Sequence, residues 1–279
     1  MRTLLALAVT GVLLQGCSLR EPMPATHEPE VPTLTPRAST YHDLVNMPKP
    51  KGLVVTAVYG FRDQTGQYKP APASSFSTSV TQGAGSMLMD ALQASGWFMV
   101  LEREGLQNLL TERKIIRASQ QKAGTPANIL DELPPLQAAN LVLEGGVVAY
   151  DTNVRTGGEG ARYLGIGASN EYRVDQVSVS LRAVDVRSGQ VLANVMTSKT
   201  IYSVARSAGV FKFVELKDLL EVEAGYTVNE PAQLCVLSAI EAAVAHLIAQ
   251  GIERKLWHAA DPAALADSTL RKYLAAIRE

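Results

Sequence analysis

In these 279 residues the side chains able to do chemistry are few: two cysteines, four histidines and a cluster of glycines. Cys17 follows Leu14-Gln15-Gly16 at the end of an apolar run, Leu4 to Leu14, that has Arg2 ahead of it. A thiol in that setting is placed for acylation rather than for catalysis. Cys235 sits in an apolar stretch and reads as a small buried hydrophobe, so no disulfide forms within the chain. His27, His42, His246 and His258 are scattered; His27 and His42 have no partner at metal-ligand spacing and read as solvated. Gly157, Gly158, Gly160, Gly165 and Gly167 lack the following lysine and the strand-to-helix setting of a phosphate cradle, and close strand packing or a flexible arm fits them better. No G-x-x-x-x-G-K-[ST], G-x-G-x-x-G or H-E-x-x-H motif occurs. The residues imply no enzyme, no cofactor and no bound metal.

The N-terminus is organised to present Cys17. Residues 1–16 form a secretion signal, since their apolar run is too short to span as a mature helix. Leu14-Gln15-Gly16-Cys17 resembles the bacterial lipoprotein signal, in which cleavage exposes an acylated cysteine, and Ser18 rather than an aspartate after it favours the outer membrane. Three acyl chains anchor effectively permanently, because one is marginal and two are stable. Cleavage leaves 263 residues, and as Arg2 is the only charge lost, 25 basic groups face 27 acidic ones, a formal charge of −2. That balance implies no nucleic-acid or anionic-lipid partner. Residues 17–50 carry Pro22, Pro24, Pro29, Pro32, Pro36, Pro48 and Pro50 and read as lipid anchor plus an extended tether, at about 3 Å per residue.

Two segments alternate at period two as membrane hairpins would. In 204–228, Leu220, Val222, Ala224, Tyr226 and Val228 fall on one face of the second arm and Glu221, Glu223, Gly225 and Thr227 on the other. The first arm offers Phe211 and Phe213 as apolar bulk and Arg206 and Lys212 as charge, with a turn at Glu215 to Asp218. In 154–174 the returning arm places Leu164, Ile166, Ala168, Tyr172 and Val174 against Gly165, Gly167, Ser169, Glu171 and Arg173. Each arm is about ten residues, the length a tilted strand needs to cross a bilayer. The lipid-facing set is therefore Leu164, Ile166, Phe211, Phe213, Leu220 and Val222, and the lumen-facing set Glu171, Arg173, Arg206, Lys212, Glu221 and Glu223. Four strands cannot close a barrel, and an open edge is not tolerated in hydrocarbon, so copies must pool their strands.

The rest reads as an α/β body spanning 51–153, with a sheet hairpin at 175–203 around Ser188-Gly189 and C-terminal helices in 229–279. A strand at Leu53 to Tyr59 precedes a loop and then a helix with Val80, Ala84, Met87, Leu88 and Ala91 at helical spacing. A second helix at Glu102 to Ala118 is expected to turn Leu106, Leu109, Leu110 and Ile116 inward. The stretch from Ala232 to Gly251 is apolar enough for a membrane span. Glu241 and His246 argue for a core helix, because a central carboxylate in lipid costs about 2.5–3.5 kcal/mol even on lenient scales; Leu234, Leu237, Ile240, Val244, Leu247 and Ile248 are then its inward residues. A short final helix, Ala263 to Ile277, reads as peripheral.

Four segments carry a specific resemblance: LEREGLQNLLTERKIIRA at 101–118, GGEGARYLGIGA at 157–168, AGVFKF at 208–213 and NEPAQLCVLSAIEAAV at 229–244. From Cys17 to about Trp257 the chain resembles the curli secretion channel family, the CsgG-type outer-membrane lipoproteins. The resemblance implies an α/β periplasmic body with two inserted amphipathic β-hairpins that join an oligomeric transmembrane β-barrel. A ring of about nine copies would bring the barrel near 36 strands, the size of the largest known. It implies unfolded curli-type subunits as cargo, exported passively, with periplasmic and extracellular accessory factors as partners. The family's channel is narrowed by the loop matching Asp63 to Phe76, with Ala71, Ser75 and Phe76 at the constriction positions. Phe76 matches the family pattern; Ala71 stands where a tyrosine is familiar and Ser75 where an asparagine is, which implies a wider or shorter constriction. The rival reading is a periplasm-facing lipoprotein that binds or regulates an envelope protein without forming a pore.

Overall fold

The computed structural model describes residue 34 and residues 37–68, 78–122, 133–163, 166–215, 218–229 and 232–278. Cys17, Ala71, Ser75, Phe76 and Leu164 lie outside the described residues. Arg37 to Glu279 cluster as one unit, with the order α1 (Ser39–Val45), β1 (Val54–Asp63), α2 (Ala84–Ala94), β2 (Phe98–Leu101), α3 (Leu106–Lys122), β3 (Leu141–Tyr163), β4 (Ile166–Asp185), β5 (Val191–Glu215), β6 (Asp218–Asn229), α4 (Ala232–Glu253), a 3₁₀ turn (Pro262–Ala266) and α5 (Ser268–Arg278).

The six strands make one sheet in the order β2-β1-β3-β4-β5-β6. β1 is parallel to both β2 and β3, and β3 to β6 form an antiparallel meander. The alternation of β4 and β5 puts Val177, Val179, Leu181, Ala183, Ala193 and Val195 into the core. Against them packs α4, whose Cys235, Ile240, Val244, Leu247 and Ile248 have no exposed surface. Its best 18-residue window has a mean hydropathy of 1.7 and is 72% buried, so its apolar character is that of a core helix. Leu237 is buried as expected and Leu234 is half-buried. α2 packs on β1 and α4 through Ala84, Leu88, Ala91 and Leu92, with Val80 buried just ahead of it. Trp257 closes one end: its indole lies across Gly251, where a Cβ would come 2.0 Å from the ring, and it donates to the Ile248 carbonyl at 3.0 Å.

Three expectations are corrected. The tether does not run to residue 50. Ser39 to Val45 is helical, Leu44 and Met47 are buried, Pro50 bridges to Ala259, and the Lys51 N–H donates to the His258 carbonyl at 2.8 Å. Prolines set backbone stiffness, but the two apolar side chains at a three-residue step dock the segment. Second, α3 turns its face inward only in part: Leu106, Leu109 and Leu110 are half-buried, none of residues 106–119 is fully buried, and Ile115 and Ile116 are 54% and 38% exposed. The described attachments at this helix are donations from Arg103 to the Gln137 carbonyl and from Arg113 to the Pro134 carbonyl. Third, α5 is not peripheral, since Leu270 and Tyr273 are buried and Tyr273 and Lys272 both bond Asp43 of α1, at 3.0 and 2.5 Å.

Candidate functional site

β1 delivers the chain into the loop at Asp63, and the described ends of that loop are tied together by hydrogen bonds. Asp63 Oδ1 accepts from the Thr65 N–H at 2.9 Å and from Thr65 Oγ1 at 2.7 Å, an Asx turn completed by Gly66 at φ +62°. Asp63 Oδ2 accepts from Gln82 Nε2 on the returning arm at 3.2 Å. Tyr68 and Thr78 form an antiparallel bridge, and the Ser79 N–H donates to the Gln67 carbonyl at 2.9 Å. The outgoing arm is also fastened to β3, where Gln64 donates its N–H to Val147 at 2.9 Å and its Nε2 to Gly145 at 3.0 Å. Gly146 makes this approach possible, because a Cβ there would stand 2.1 Å from the Arg62 carbonyl oxygen. Asp63, Gln64, Gln82 and Gly146 are absent from the sequence-level site. The signals that point to them are the Asp-x-Thr-Gly turn pattern and the Gly145-Gly146 pair inside a strand.

The strands of the two alternating segments are long. β3, β4 and β5 have 23, 20 and 25 residues and β6 has 12. One ladder joins them: Tyr163 pairs with Ile166, Ile166 with Val210, and Val210 with Val222. The ladder carries the backbone of the sequence-predicted residues 166, 171 and 173 on β4, 206, 211, 212 and 213 on β5, and 220–223 on β6.

Along the ladder two edges carry no strand partner among the described residues: β3 beyond Val147, where its pairing with β1 ends, and the outer side of β6. Beside the loop's ends a cavity of about 440 Å³ is lined by Tyr59, Arg62, Gln64, Glu144, Ser180 and Arg182, among others. Arg182 spans it with two bonds to Glu144 Oε2, at 2.7 and 3.2 Å; both side chains are well exposed, so the pair is worth little by itself. At the β4–β5 turn, hydrogen bonds from the Ser188 hydroxyl and N–H hold the Asp185 carboxyl below its ordinary range, with Gly189 at φ +71°. Among the described residues no group of three His, Cys, Asp or Glu side chains is placed to hold a metal ion.

A family model described as "Curli production assembly/transport component CsgG" matches residues 37–276. The chain belongs to the CsgG family. Its relatives include the curli production assembly/transport components CsgG of Escherichia coli (strain K12) and Salmonella typhimurium (strain LT2), each 49% identical over 269 residues, 96% of this chain and 96% of theirs. Two solved structures align at a TM-score of 0.26: lipoprotein GNA1162 from Neisseria meningitidis, 17% identical over 53% of this chain and 82% of its own, and a PelC dodecamer from Paraburkholderia phytofirmans, 13% identical over 71% and 89%.

Proposed function

We propose that this CsgG-family chain is one subunit of an outer-membrane channel for curli production, which exports unfolded polypeptide passively through a barrel made of strands pooled from identical copies. The observation that carries the reading is the four-strand ladder: one continuous register runs through both alternating segments and ends on two strand edges without a partner among the described residues. An exposed edge is a row of unpaired N–H and C=O groups, which in hydrocarbon must be met by another strand. A second copy presents the complementary edges.

In this reading Leu164, Ile166, Phe211, Phe213, Leu220 and Val222 face lipid, and Glu171, Arg173, Arg206, Lys212, Glu221 and Glu223 face a wet lumen, as in barrels that alternate apolar out and polar in. Cys17 carries the acyl anchor, the helix-covered body stays in the periplasm, and Ala71, Ser75 and Phe76 form the constriction at the mouth. Curli-type subunits are the cargo, with accessory factors on both sides of the membrane. With no nucleotide-binding motif in the sequence, direction comes from confinement below the pore and folding outside it.

The test is planar-bilayer conductance of the purified, assembled protein beside its Phe76→Ala variant. Steady channels that enlarge in the variant support both the barrel and the constriction. An intact assembly that passes no current overturns the reading in favour of a lipoprotein that binds an envelope partner without a pore.

A further inference from the structure

The hydrogen bonds at the base of the β1–α2 loop are unevenly distributed. Phe61 and Val80 are both buried in the core, but the described residues between them, 62–68 and 78–79, are half-buried or exposed. Apolar packing therefore fixes where the two arms leave the body and does not fix how they run beyond it. Polar contacts do that: the Tyr68–Thr78 bridge and the Ser79 N–H on the Gln67 carbonyl join the arms further out, and nearer the body the side-chain contacts meet at one carboxylate. Asp63 shapes the outgoing arm through Thr65 and, through Gln82 Nε2 at 3.2 Å, reaches the returning arm 19 residues on. Gln64, the next residue, is bound twice to β3, and Gly146 of β3 lets the backbone of Arg62 come close.

We infer that Asp63 is a positioning residue of the proposed channel: its carboxylate ties the two arms of the loop to each other while Gln64 ties them to the sheet, so the pair sets the origin and direction of whatever the loop carries. The inference rests on the channel reading. A functional group must be held to within about 0.5 Å by its supporting shell to act as a defined feature. In a ring of copies, independent wandering of each loop would change the width of the opening from moment to moment. A released neck is therefore expected to show in the steadiness of the current more than in its mean.

The experiment compares single-channel recordings of the full assembled protein in planar bilayers for wild type, Phe76→Ala, Asp63→Ala, Gln82→Ala and the double variant Asp63→Asn with Gln82→Glu. Asp63→Ala removes all three bonds, and Gln82→Ala removes the side-chain link between the arms together with a donation to the Val80 carbonyl at 3.4 Å. The double variant exchanges donor and acceptor: the amide introduced at position 63 still accepts from Thr65 through its oxygen and donates its N–H to the carboxylate introduced at position 82. The expected result is a several-fold rise in open-channel current variance for both alanine variants, with thermal unfolding and oligomer recovery unchanged, and a return toward wild type in the double variant. Where Asp63→Ala disturbs folding, Gln82→Ala carries the comparison. Variance equal to wild type in both alanine variants, in a protein whose channels enlarge on Phe76→Ala, overturns the positioning role and leaves the channel reading standing. An intact assembly without channels overturns both.

Discussion

Glu241 is the most consequential single residue of the described body. It is fully buried on α4; its Oε2 accepts from Thr40 Oγ1 at 2.6 Å, and its Oε1 has no hydrogen-bond partner among the described residues. Arg37 stands 3.7 Å from Oε1 but is drawn to Asp90 at 2.6 Å. Burial pushes the Glu241 carboxyl above its ordinary range, against the opposing pull of Thr40 and Arg37. A raised folded-state pKa means that folding takes up a proton. The carboxyl is then best tolerated below about 4.5, and stability falls as pH rises from there through the raised value. Glu241→Gln keeps an acceptor for Thr40 and removes that dependence, so it should stabilise the protein by about 1–2 kcal/mol near neutral pH and flatten the Tm profile above pH 5. Equal Tm profiles for the two proteins from pH 5 to 8 would contradict this. His246 works in the opposite sense: burial and Lys272 lower its pKa, so its contribution is lost as pH falls below about 6.5. At Gly251 the Trp257 ring leaves no room for a Cβ, and Gly251→Ala should cost about 1–3 kcal/mol in denaturant unfolding. The sequence shows Glu241 as an argument against a membrane span, and the core helix bears that out. Its partner Thr40 lies 201 residues away, a juxtaposition that no local pattern encodes.

At the scale of elements, strands and helices announce themselves by period, and their neighbours do not. α2 and α4 have the expected spacing and bury the expected faces, because each meets the sheet. α3 has equally good spacing, but its Leu106, Leu109 and Leu110 are only half-buried and Ile116 is exposed, since an apolar stripe states what a helix could cover, not how fully anything covers it. A helix of 17 residues held mainly by its own ladder is marginal, so amide hydrogen exchange should be fastest in α3 and slowest in α4; comparable protection in both would mean that α3 is covered in solution. The phase of β5 is the other part the sequence leaves open. Alternation along β5 does not say which residue of β6 each position meets, and the backbone ladder pairs Ala208 with Ala224. Cysteines at the partners Ala208 and Ala224 should form a disulfide on mild oxidation, whereas Ala208→Cys with Glu223→Cys should not. The reverse result would mean a β5–β6 register shifted by one residue.

At the scale of the molecule, the covered half of the sheet forms the body, and the ladder beyond it has two edges without a strand partner among the described residues. If copies pool their strands, a cysteine at Glu159 on the free edge of β3, combined with cysteines scanned along 219–227 of β6, should give a ladder of covalent multimers in outer-membrane preparations. Products confined to single chains would point to the rival lipoprotein. The sequence makes this plan readable through its alternation and its apolar N-terminus, and the family resemblance adds a constriction that neither composition nor period contains.

The way the two ends of the body hold each other has a mechanical consequence. Any pull arriving through the residues ahead of Arg37 first meets contacts with helices: Arg37 with Asp90 of α2, Thr40 with Glu241 of α4, and Asp43 with Lys272 and Tyr273 of α5. Next comes the short pairing of Lys49 and Lys51 with Ala260 and His258. Only after these does the chain enter the sheet at Val54. Tension entering at Arg37 is thus borne by the helical layer and spread over several elements, and the strand ladder is kept out of the load path.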